Sequence, residues 1–219
     1  EFYGDDIFVA NLYIPGCSLK EHADNLKTDE KVYEYQLDGV CQYKIDLKSA
    51  IDEGWDFITL QQSSGESGVK ESYEPYFNDL ISYLKDNAPD SQIVFHKTWS
   101  YENTVEHPKF VNYNHSQSQM DEMIDEVADY IKKEYKLPIL NTADVIRKAR
   151  IDERTKDLKL SLDGYHLNTE FGQLLAAYSW YYFFSDKNIN FTRPDFLPNL
   201  ISENITFAIM EIAYQTIKL

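Results

Sequence analysis

The sequence predicts a three-layer α/β/α sandwich built on a parallel sheet. Its 219 residues suit one domain. Short segments that are apolar almost throughout alternate along the chain with longer segments of helical periodicity. Strands of that character are buried on both faces, as in a parallel sheet covered by helices. No repeat, linker or low-complexity stretch divides the chain, so we predict a single domain over residues 1–219.

Four apolar segments are the predicted strands of this sheet. The first ends at the turn-forming pair Pro15-Gly16, and the second is rich in β-branched and aromatic residues and runs into a loop of glycine and serine. A separate segment, residues 32–36, alternates like a strand of an exposed hairpin. The strands of the parallel sheet are predicted at residues 7–13, 55–61, 91–97 and 137–140.

Segments of helical periodicity follow most of these strands. After the second strand, apolar residues recur at every third or fourth position until Pro89 ends the pattern. After the fourth strand, Thr142 is expected to cap the next helix. The predicted helices cover residues 73–87, 120–135, 142–150, 169–185 and 203–218.

Composition excludes several classes of partner. The chain has 21 Lys and Arg against 37 Asp and Glu, a net charge of −16, which repels nucleic-acid phosphates and anionic membrane surfaces. No apolar run reaches the ~20 residues that cross a bilayer, so no membrane span is predicted. The two cysteines, Cys17 and Cys41, form neither a disulfide framework nor a CxxC site. Because the five histidines show no HxH or HExxH spacing, we predict no metal and no cofactor.

One short segment, Asp163-Gly164-Tyr165-His166, has the composition of an acid–base pair. A carboxylate three residues before a histidine, on a tight glycine-containing turn, can fix the imidazole tautomer and stabilise the imidazolium. The other ring nitrogen would then face a nucleophile. The alternative interpretation is an aspartate that caps a turn beside a surface histidine.

Two strand ends could supply hydrogen-bond donors to an oxyanion. Gly16 follows the first predicted strand, where a backbone N–H can be presented on a turn. Gln61 and Gln62 follow the second, where a side-chain amide could be a further donor. The simpler interpretations are a plain turn at the first position and ordinary turn polarity at the second.

Four segments, taken in order, resemble the SGNH (GDSL-like) hydrolase superfamily, and most closely a bacterial branch of SGNH-like proteins. They are Asn-Leu-Tyr-Ile-Pro-Gly-Cys-Ser-Leu at residues 11–19, Trp-Asp-Phe-Ile-Thr-Leu-Gln-Gln-Ser-Ser-Gly at 55–65, Lys-Thr-Trp-Ser-Tyr at 97–101 and Asp-Gly-Tyr-His-Leu-Asn at 163–168. The resemblance covers most of residues 6–185. It implies a flavodoxin-like sandwich of SGNH hydrolase type.

The resemblance also implies roles for individual residues. Asp163 and His166 correspond to the acid and base of a Ser-His-Asp triad. Gly16 corresponds to the backbone oxyanion donor. Gln62, or its neighbour Gln61 on the other face of the strand, corresponds to the side-chain oxyanion donor.

Three aromatic residues are expected at the substrate pocket by the same resemblance. Trp99 and Tyr101 correspond to its walls, and His107 is expected to line it. The implied activity is that of a serine esterase that removes an acyl or acetyl group, most plausibly from a carbohydrate. The alternative from another class is a non-catalytic carbohydrate- or protein-binding module on a hydrolase-like fold.

The nucleophile of this superfamily has no counterpart in the sequence. It is a serine in a Gly-Asp-Ser or Gly-Asn-Ser segment after the first strand of the sheet, and no such segment follows an apolar strand here. We therefore expect a shortened form of an esterase that lacks the first strand, with little or no activity. Two alternatives remain open: a pseudoenzyme that never had the strand, and a substitute nucleophile. The candidate substitutes are Ser18, Ser63, Ser64, Ser67 and Ser100.

The start of the chain carries neither an initiator methionine nor a signal peptide, which also predicts a processed or shortened polypeptide. The resemblance implies a periplasmic or secreted location. Losing a central strand would leave two sheet edges unpaired, so we expect a gap in the sheet or another segment that fills it. The sequence makes no prediction of oligomeric state.

Overall fold

Two three-stranded sheets, rather than one continuous sheet, form the centre of the fold in the computed structural model, which describes residues 8–37, 39–185 and 201–218. One sheet is parallel and the other antiparallel. Helices pack against both, which makes this an α/β fold as predicted. None of the helices in the described ranges is long and apolar enough to cross a membrane.

The parallel sheet consists of β4 (Phe57–Leu60), β5 (Gln92–His96) and β6 (Ile139–Leu140), in the order β4-β5-β6. These strands confirm the predicted segments at 55–61, 91–97 and 137–140. β5 is central, and its last four residues are buried. Their apolar side chains are covered on both faces, which is why the segment is apolar almost throughout.

The antiparallel sheet consists of β1 (Ala10–Tyr13), β2 (Tyr33–Leu37) and β3 (Val40–Ile45), in the order β1-β2-β3. β2 confirms the hairpin strand predicted at 32–36. The first predicted strand differs from its expectation, because its described part, β1, pairs antiparallel with β2 instead of joining the parallel sheet. Its burial alternates, as in a strand with one face towards solvent. Residue 7 lies outside the described ranges.

A gap separates the facing edges of β1 and β4. No backbone ladder joins these two strands among the described residues, yet they are neighbours at both ends. The ring of Phe8, before β1, stacks on Trp55, before β4, at 5.7 Å between centroids. Beyond the other ends, the N–H of Leu19 donates to Oε1 of Gln62 at 3.0 Å. The two strands therefore run side by side in the same direction with an unpaired edge each, and we call the space between them the strand gap.

Side chains of β4 are less covered than those of β5. Phe57 is 43% exposed, and Ile58, Thr59 and Leu60 are partly exposed, whereas the last four residues of β5 are buried. An apolar strand that is half covered lacks neighbours on one side. The difference agrees with the position of β4 at the edge of the parallel sheet and of β5 at its centre.

Seven α-helices lie in the described ranges. Two of them, α1 and α2, are short and were not predicted, since each spans fewer than two full repeats of helical periodicity. α1 begins at a capping box in which Ser18 and Glu21 bond each other's backbone N–H. The helices are α1 (Leu19–Asn25), α2 (Leu47–Ile51), α3 (Tyr76–Asn87), α4 (Gln117–Tyr135), α5 (Thr142–Ala149), α6 (Gly172–Phe184) and α7 (Glu203–Lys218).

The five longer helices confirm the five predicted ones, with ends shifted by up to three residues. The predicted cap at Thr142 is wrong. Asn141 occupies the cap position, and Thr142 is the first helical residue, with its hydroxyl directed at His96. The Thr142 hydroxyl bonds His96 rather than the helix terminus, because the imidazole of His96 is buried and needs a partner.

Candidate functional site

The turn that carries Asp163 and His166 is held rigidly against the loop that follows β5. An isolated bridge pairs Ser161 with Leu167 at the base of the turn. Gly164 adopts φ +94°, a region that L side chains rarely enter, and a Cβ there would lie 2.9 Å from Val105. The Glu102 N–H donates to the Gly164 carbonyl at 2.8 Å. The glycine is therefore needed both for the turn and for its close packing.

Asp163 and His166 form the expected pair. Nδ1 of His166 lies 2.7 Å from Oδ2 of Asp163, and Oδ1 of the same carboxylate accepts the backbone N–H groups of His166 at 2.9 Å and Tyr165 at 3.2 Å. Partial desolvation raises the pKa of Asp163, but these hydrogen bonds outweigh it and the pKa lies below its usual value. The carboxylate thus stays ionised and fixes the orientation of the ring.

The second ring nitrogen of His166 is directed away from its own turn. The side chain is 64% exposed, and none of the described residues hydrogen-bonds Nε2. The face of the ring packs against Tyr165 at 4.0 Å between centroids. This arrangement can accept and return a proton at Nε2 while Asp163 stabilises the charge on the ring.

An open cavity of about 530 Å³ lies beside His166. Its lining is apolar apart from His166 and Gln173. Trp99 is held in this wall because its Nε1–H donates to the Tyr165 carbonyl at 2.8 Å. The lining residues are Trp99, Leu162, His166, Leu167, Gln173, Ala176, Ala177 and Trp180.

Of the three predicted pocket residues, only Trp99 lines this cavity. Tyr101 is fully buried, and its hydroxyl lies 2.9 Å from Oγ of Ser64. His107 packs edge-on against Tyr165 at 5.1 Å. Tyr101 and His107 therefore support the turn of His166 from behind, because Tyr165 lies between them and that ring.

Gly16 lies at the exposed turn between β1 and α1. It adopts φ +66°, and no described residue accepts a hydrogen bond from its N–H. Lys109 affects the pKa of one group near this turn and of another near the turn of His166. Glu21, whose pKa is lowered first by a backbone hydrogen bond at Ser18, is also stabilised by Lys109. Burial lowers the pKa of His107, and the charges of Lys109 and His166 lower it further.

The side-chain amide of Gln62 is buried, and both its oxygen and its nitrogen are hydrogen-bonded. Its Oε1 accepts the N–H groups of Leu19 at 3.0 Å and Ser63 at 2.8 Å, and its Nε2 donates to the carbonyl and hydroxyl oxygens of Ser72 at 3.2 and 3.0 Å. These bonds join the start of α1 to the end of β4. Donation from Gln62 to an oxyanion would require breaking its bonds to Ser72.

Gln61 differs in that its amide nitrogen has no partner among the described residues. Its Oε1 accepts from Nδ1–H of His96 at 2.6 Å, and Nε2 of His96 accepts from the Thr142 hydroxyl at 2.9 Å. Burial lowers the pKa of His96 to about 4, so the ring is neutral and its tautomer is fixed. Gln61 is exposed at the end of β4, and its NH₂ group is therefore anchored and available to donate.

No described serine forms a hydrogen bond with the ring of His166. Ser100 is fully buried and bonded to Arg150, and the hydroxyls of the other four candidates bond to groups near them. Ser18 bonds Glu21 at 2.9 Å, Ser63 bonds Glu66 at 3.2 Å, Ser64 bonds Tyr101 at 2.9 Å, and Ser67 bonds the Ser64 carbonyl at 2.9 Å.

Neither the α6 wall of the cavity nor the role of His96 was predicted from the sequence. Ala176, Ala177 and Trp180 share one face of α6 at helical spacing, but the whole helix is apolar, so periodicity could not distinguish a cavity wall from core. His96 could have been noticed as the last residue of a buried strand, where a polar side chain requires a partner.

Within the described ranges, no group of three His, Cys, Asp or Glu side chains is arranged to hold a metal ion. Cys17 and Cys41 are both free thiols. Burial raises the pKa of the Cys17 thiol to about 12, which leaves it protonated at neutral pH and a weak nucleophile.

A solved structure is similar to this chain over almost its whole length. It is the crystal structure of a DUF4886 family protein from Bacteroides uniformis ATCC 8492, with a TM-score of 0.86 and 26% sequence identity. The match covers 96% of this chain and 83% of that one. No curated protein matches the chain. Residues 4–215 match the family described as a domain of unknown function, DUF4886, and the chain belongs to that family.

Proposed function

We propose that this protein carries the acid–base half of an SGNH-type serine esterase, with His166 as the base and Asp163 as the residue that orients it. The observation that carries the proposal is the pair itself. One imidazole nitrogen is 2.7 Å from an ionised carboxylate, and the other is exposed beside an apolar cavity. If Asp163 only capped its turn beside a surface histidine, that role would require neither the cavity nor the rigid support behind the ring of His166.

In the proposed reaction, a serine hydroxyl attacks the ester carbonyl and transfers its proton to Nε2 of His166. The carbonyl carbon becomes tetrahedral and its oxygen becomes an oxyanion, which accepts hydrogen bonds from the Gly16 N–H and a glutamine amide. His166 then returns the proton to the departing alcohol as the carbon–oxygen bond breaks. A water molecule repeats the sequence on the acyl-serine and releases the carboxylic acid.

Gln61 is the glutamine better suited to that role. Its NH₂ group has no partner among the described residues, whereas both partners of the Gln62 amide nitrogen lie on Ser72. Gln62 instead links the start of α1 to the end of β4, because its Oε1 accepts the Leu19 N–H. Both side chains were expected as candidates by resemblance, and their different hydrogen bonds favour the one at 61.

We further propose that the nucleophile belongs to a strand that occupies the strand gap. β1 and β4 run in the same direction with facing unpaired edges, and an extended segment between them would satisfy both edges. Its carboxyl end would emerge between the Gly16 turn and Gln61. A parallel strand there needs a crossover of about a dozen residues or more before β1.

The substrate class proposed from the resemblance is an acyl ester, with a carbohydrate as the alcohol. The competing proposal is a binding module without catalysis, and it is favoured by one observation, namely that no described serine forms a hydrogen bond with the ring of His166. The sugar would then stack on exposed aromatic surface near the cavity, such as Trp99.

Hydrolysis of p-nitrophenyl butyrate separates these proposals. We expect the 219-residue chain to show no hydrolysis above the uncatalysed rate. We expect a longer natural gene product, whose proposed extra strand precedes β1, to hydrolyse the ester. His166→Ala should abolish that turnover, and Lys159→Ala, a change of an exposed residue near the same turn, should leave it unchanged.

Hydrolysis by the 219-residue chain that depends on His166 would contradict the added strand and indicate one of the substitute serines. Absence of hydrolysis from every form of the protein would favour the binding module.

A further inference from the structure

We infer that the cavity beside His166 accommodates an unbranched apolar acyl chain of medium length rather than an acetyl group. This inference rests on the proposed function for one point only, that the carbonyl end of the chain lies at His166. The size and chemistry of the cavity, and the exposure of one helix face, carry the rest.

The lining of the cavity is apolar apart from two residues. Trp99, Leu162 and Leu167 come from the segments around the His166 turn, and Ala176, Ala177 and Trp180 come from α6. Carbohydrate sites need several convergent hydroxyl partners, whereas His166 and Gln173 are the polar lining residues here. The composition therefore favours the acyl part of an ester, with the alcohol left outside the cavity.

The volume favours a chain longer than a two-carbon group. A cavity of about 530 Å³ lies within the range of sites for drug-sized molecules. A water molecule occupies about 30 Å³ of the liquid, and a methylene group is of similar size. At about 30 Å³ for each methylene-sized group, this volume corresponds to roughly 18 groups, so a chain of about eight carbons fits with room to spare, whereas an acetyl group would leave most of the wall uncovered.

The face of α6 that borders the cavity is apolar and is only partly covered by the residues that the structure describes. Leu174, Leu175 and Tyr178 bury the opposite side of the helix against α5 and α7. Ala176, Ala177 and Trp180 remain partly exposed. A helix that is apolar on every side is usually buried on every side, so this face is suited to a ligand.

Two features keep the cavity open in the form needed for a chain. Ala176 and Ala177 carry small side chains, which leave room beside the helix. Trp180 is held in an edge-to-face contact with His96 at 5.2 Å between centroids. A rigid aromatic side chain beside small residues on one helix face leaves a space suited to a flexible aliphatic chain more than to a bulky ring.

The test is a fluorescence titration of the 219-residue chain with straight-chain carboxylates from acetate to decanoate, which are the acid products of the proposed reaction. Trp99 and Trp180 line the cavity, and the third tryptophan, Trp55, contacts Phe8 at the strand gap. We expect Kd to fall about fourfold for each added methylene until the chain reaches about eight carbons.

Two cavity-filling variants supply the structural check. Ala177→Phe and Ala176→Leu should weaken octanoate binding at least tenfold and leave acetate binding unchanged. Gln215→Phe adds an exposed ring on α7, away from the cavity, and should have no effect on octanoate. Far-ultraviolet circular dichroism of each variant checks folding, and one well-folded filling variant is sufficient.

Octanoate binding no tighter than acetate binding, or tighter binding that both filling variants retain, would overturn the inference. Because the titration needs no nucleophile, its outcome is separate from that of the esterase assay. Octanoate binding without hydrolysis in any form of the protein would overturn the proposed function alone. Hydrolysis with equal kcat/KM for acetyl and octanoyl esters would overturn the acyl-chain inference alone.

Discussion

At the scale of single residues, the environment of each histidine gives it a distinct role. His166 is exposed, with Nδ1 bonded to an ionised carboxylate, whereas His96 is buried, with both nitrogens bonded to neutral groups. In the first arrangement a carboxylate fixes the ring and leaves Nε2 exposed, and in the second burial lowers the pKa of the ring. Only the first is suited to accept a proton during a reaction.

Replacing Asp163 tests the orienting role. In the catalytically complete protein, Asp163→Asn should lower kcat about 10⁴-fold, because the amide favours the wrong tautomer of the imidazole. Since the Asp163 side chain is 44% exposed, we expect little change in the melting temperature. Asp157→Asn, at another exposed aspartate, is the matched control. A loss of less than tenfold in kcat for Asp163→Asn would mean that the carboxylate does not act through His166.

Acid titration tests the burial of His96. Its pKa of about 4 in the folded protein is below the ~6.5 of an unfolded chain, so the unfolded state takes up the proton first as the pH falls. The free energy of unfolding should therefore drop by about 2–3 kcal/mol between pH 7 and pH 4 on account of this residue.

The measurement for His96 is urea denaturation of the native protein and His96→Gln at several pH values. His22 also has a pKa lowered by burial, so the informative quantity is the difference between the two proteins, which should narrow towards pH 4. His115→Asn, at an exposed histidine, should keep the native slope. A difference that is constant with pH would show that His96 is not buried as a neutral ring.

At the scale of elements, the unpaired edge of β4 has a measurable consequence. The Asp56 carbonyl accepts from the Gln92 N–H, and in a parallel pair alternate residues bond to the same neighbour. The N–H groups of Phe57 and Thr59 therefore face the strand gap. We expect both to exchange with deuterium in minutes, while the N–H of the buried Val94 stays protected for much longer.

The natural gene product supplies the complementary result for β4. If a strand occupies the gap there, Phe57 and Thr59 should become as protected as Val94. Equal protection of all three amides in the 219-residue chain would contradict the open edge.

Elements with strong local signals were predictable, and those that depend on distant partners were not. The apolar segments at 55–61 and 91–97 are strands, and the periodic segments are helices. The segment at 7–13 was predicted as a strand, but its residues do not encode whether it pairs with β2 or with the parallel sheet. The short helices α1 and α2 were missed because each depends on a single cap and on packing.

The candidate site shows the same division. Asp163 and His166 are three residues apart, so their hydrogen bond could be expected from the sequence alone. The choice between Gln61 and Gln62 depends on His96 and Ser72, which are 35 and 10 residues away, and no local pattern encodes it. Tyr101 was expected at the pocket, but it is buried because Ser64 offers its hydroxyl a partner.

At the scale of the whole molecule, two incomplete features are complementary. The dyad at residues 163 and 166 has a free imidazole nitrogen and no nucleophile among the described residues, and the sheets have a free edge on each side of the strand gap. The 0.86 TM-score with a DUF4886 structure shows that the fold of this chain recurs in that protein. We propose that one added strand would complete both the sheet and the site.

The most direct test of this account is fluorophosphonate labelling of the natural gene product, followed by peptide mass mapping. We predict one labelled serine, located on a strand that precedes β1 in sequence, and loss of the label in His166→Ala. Label on a serine within residues 1–219, or label that persists without His166, would contradict it.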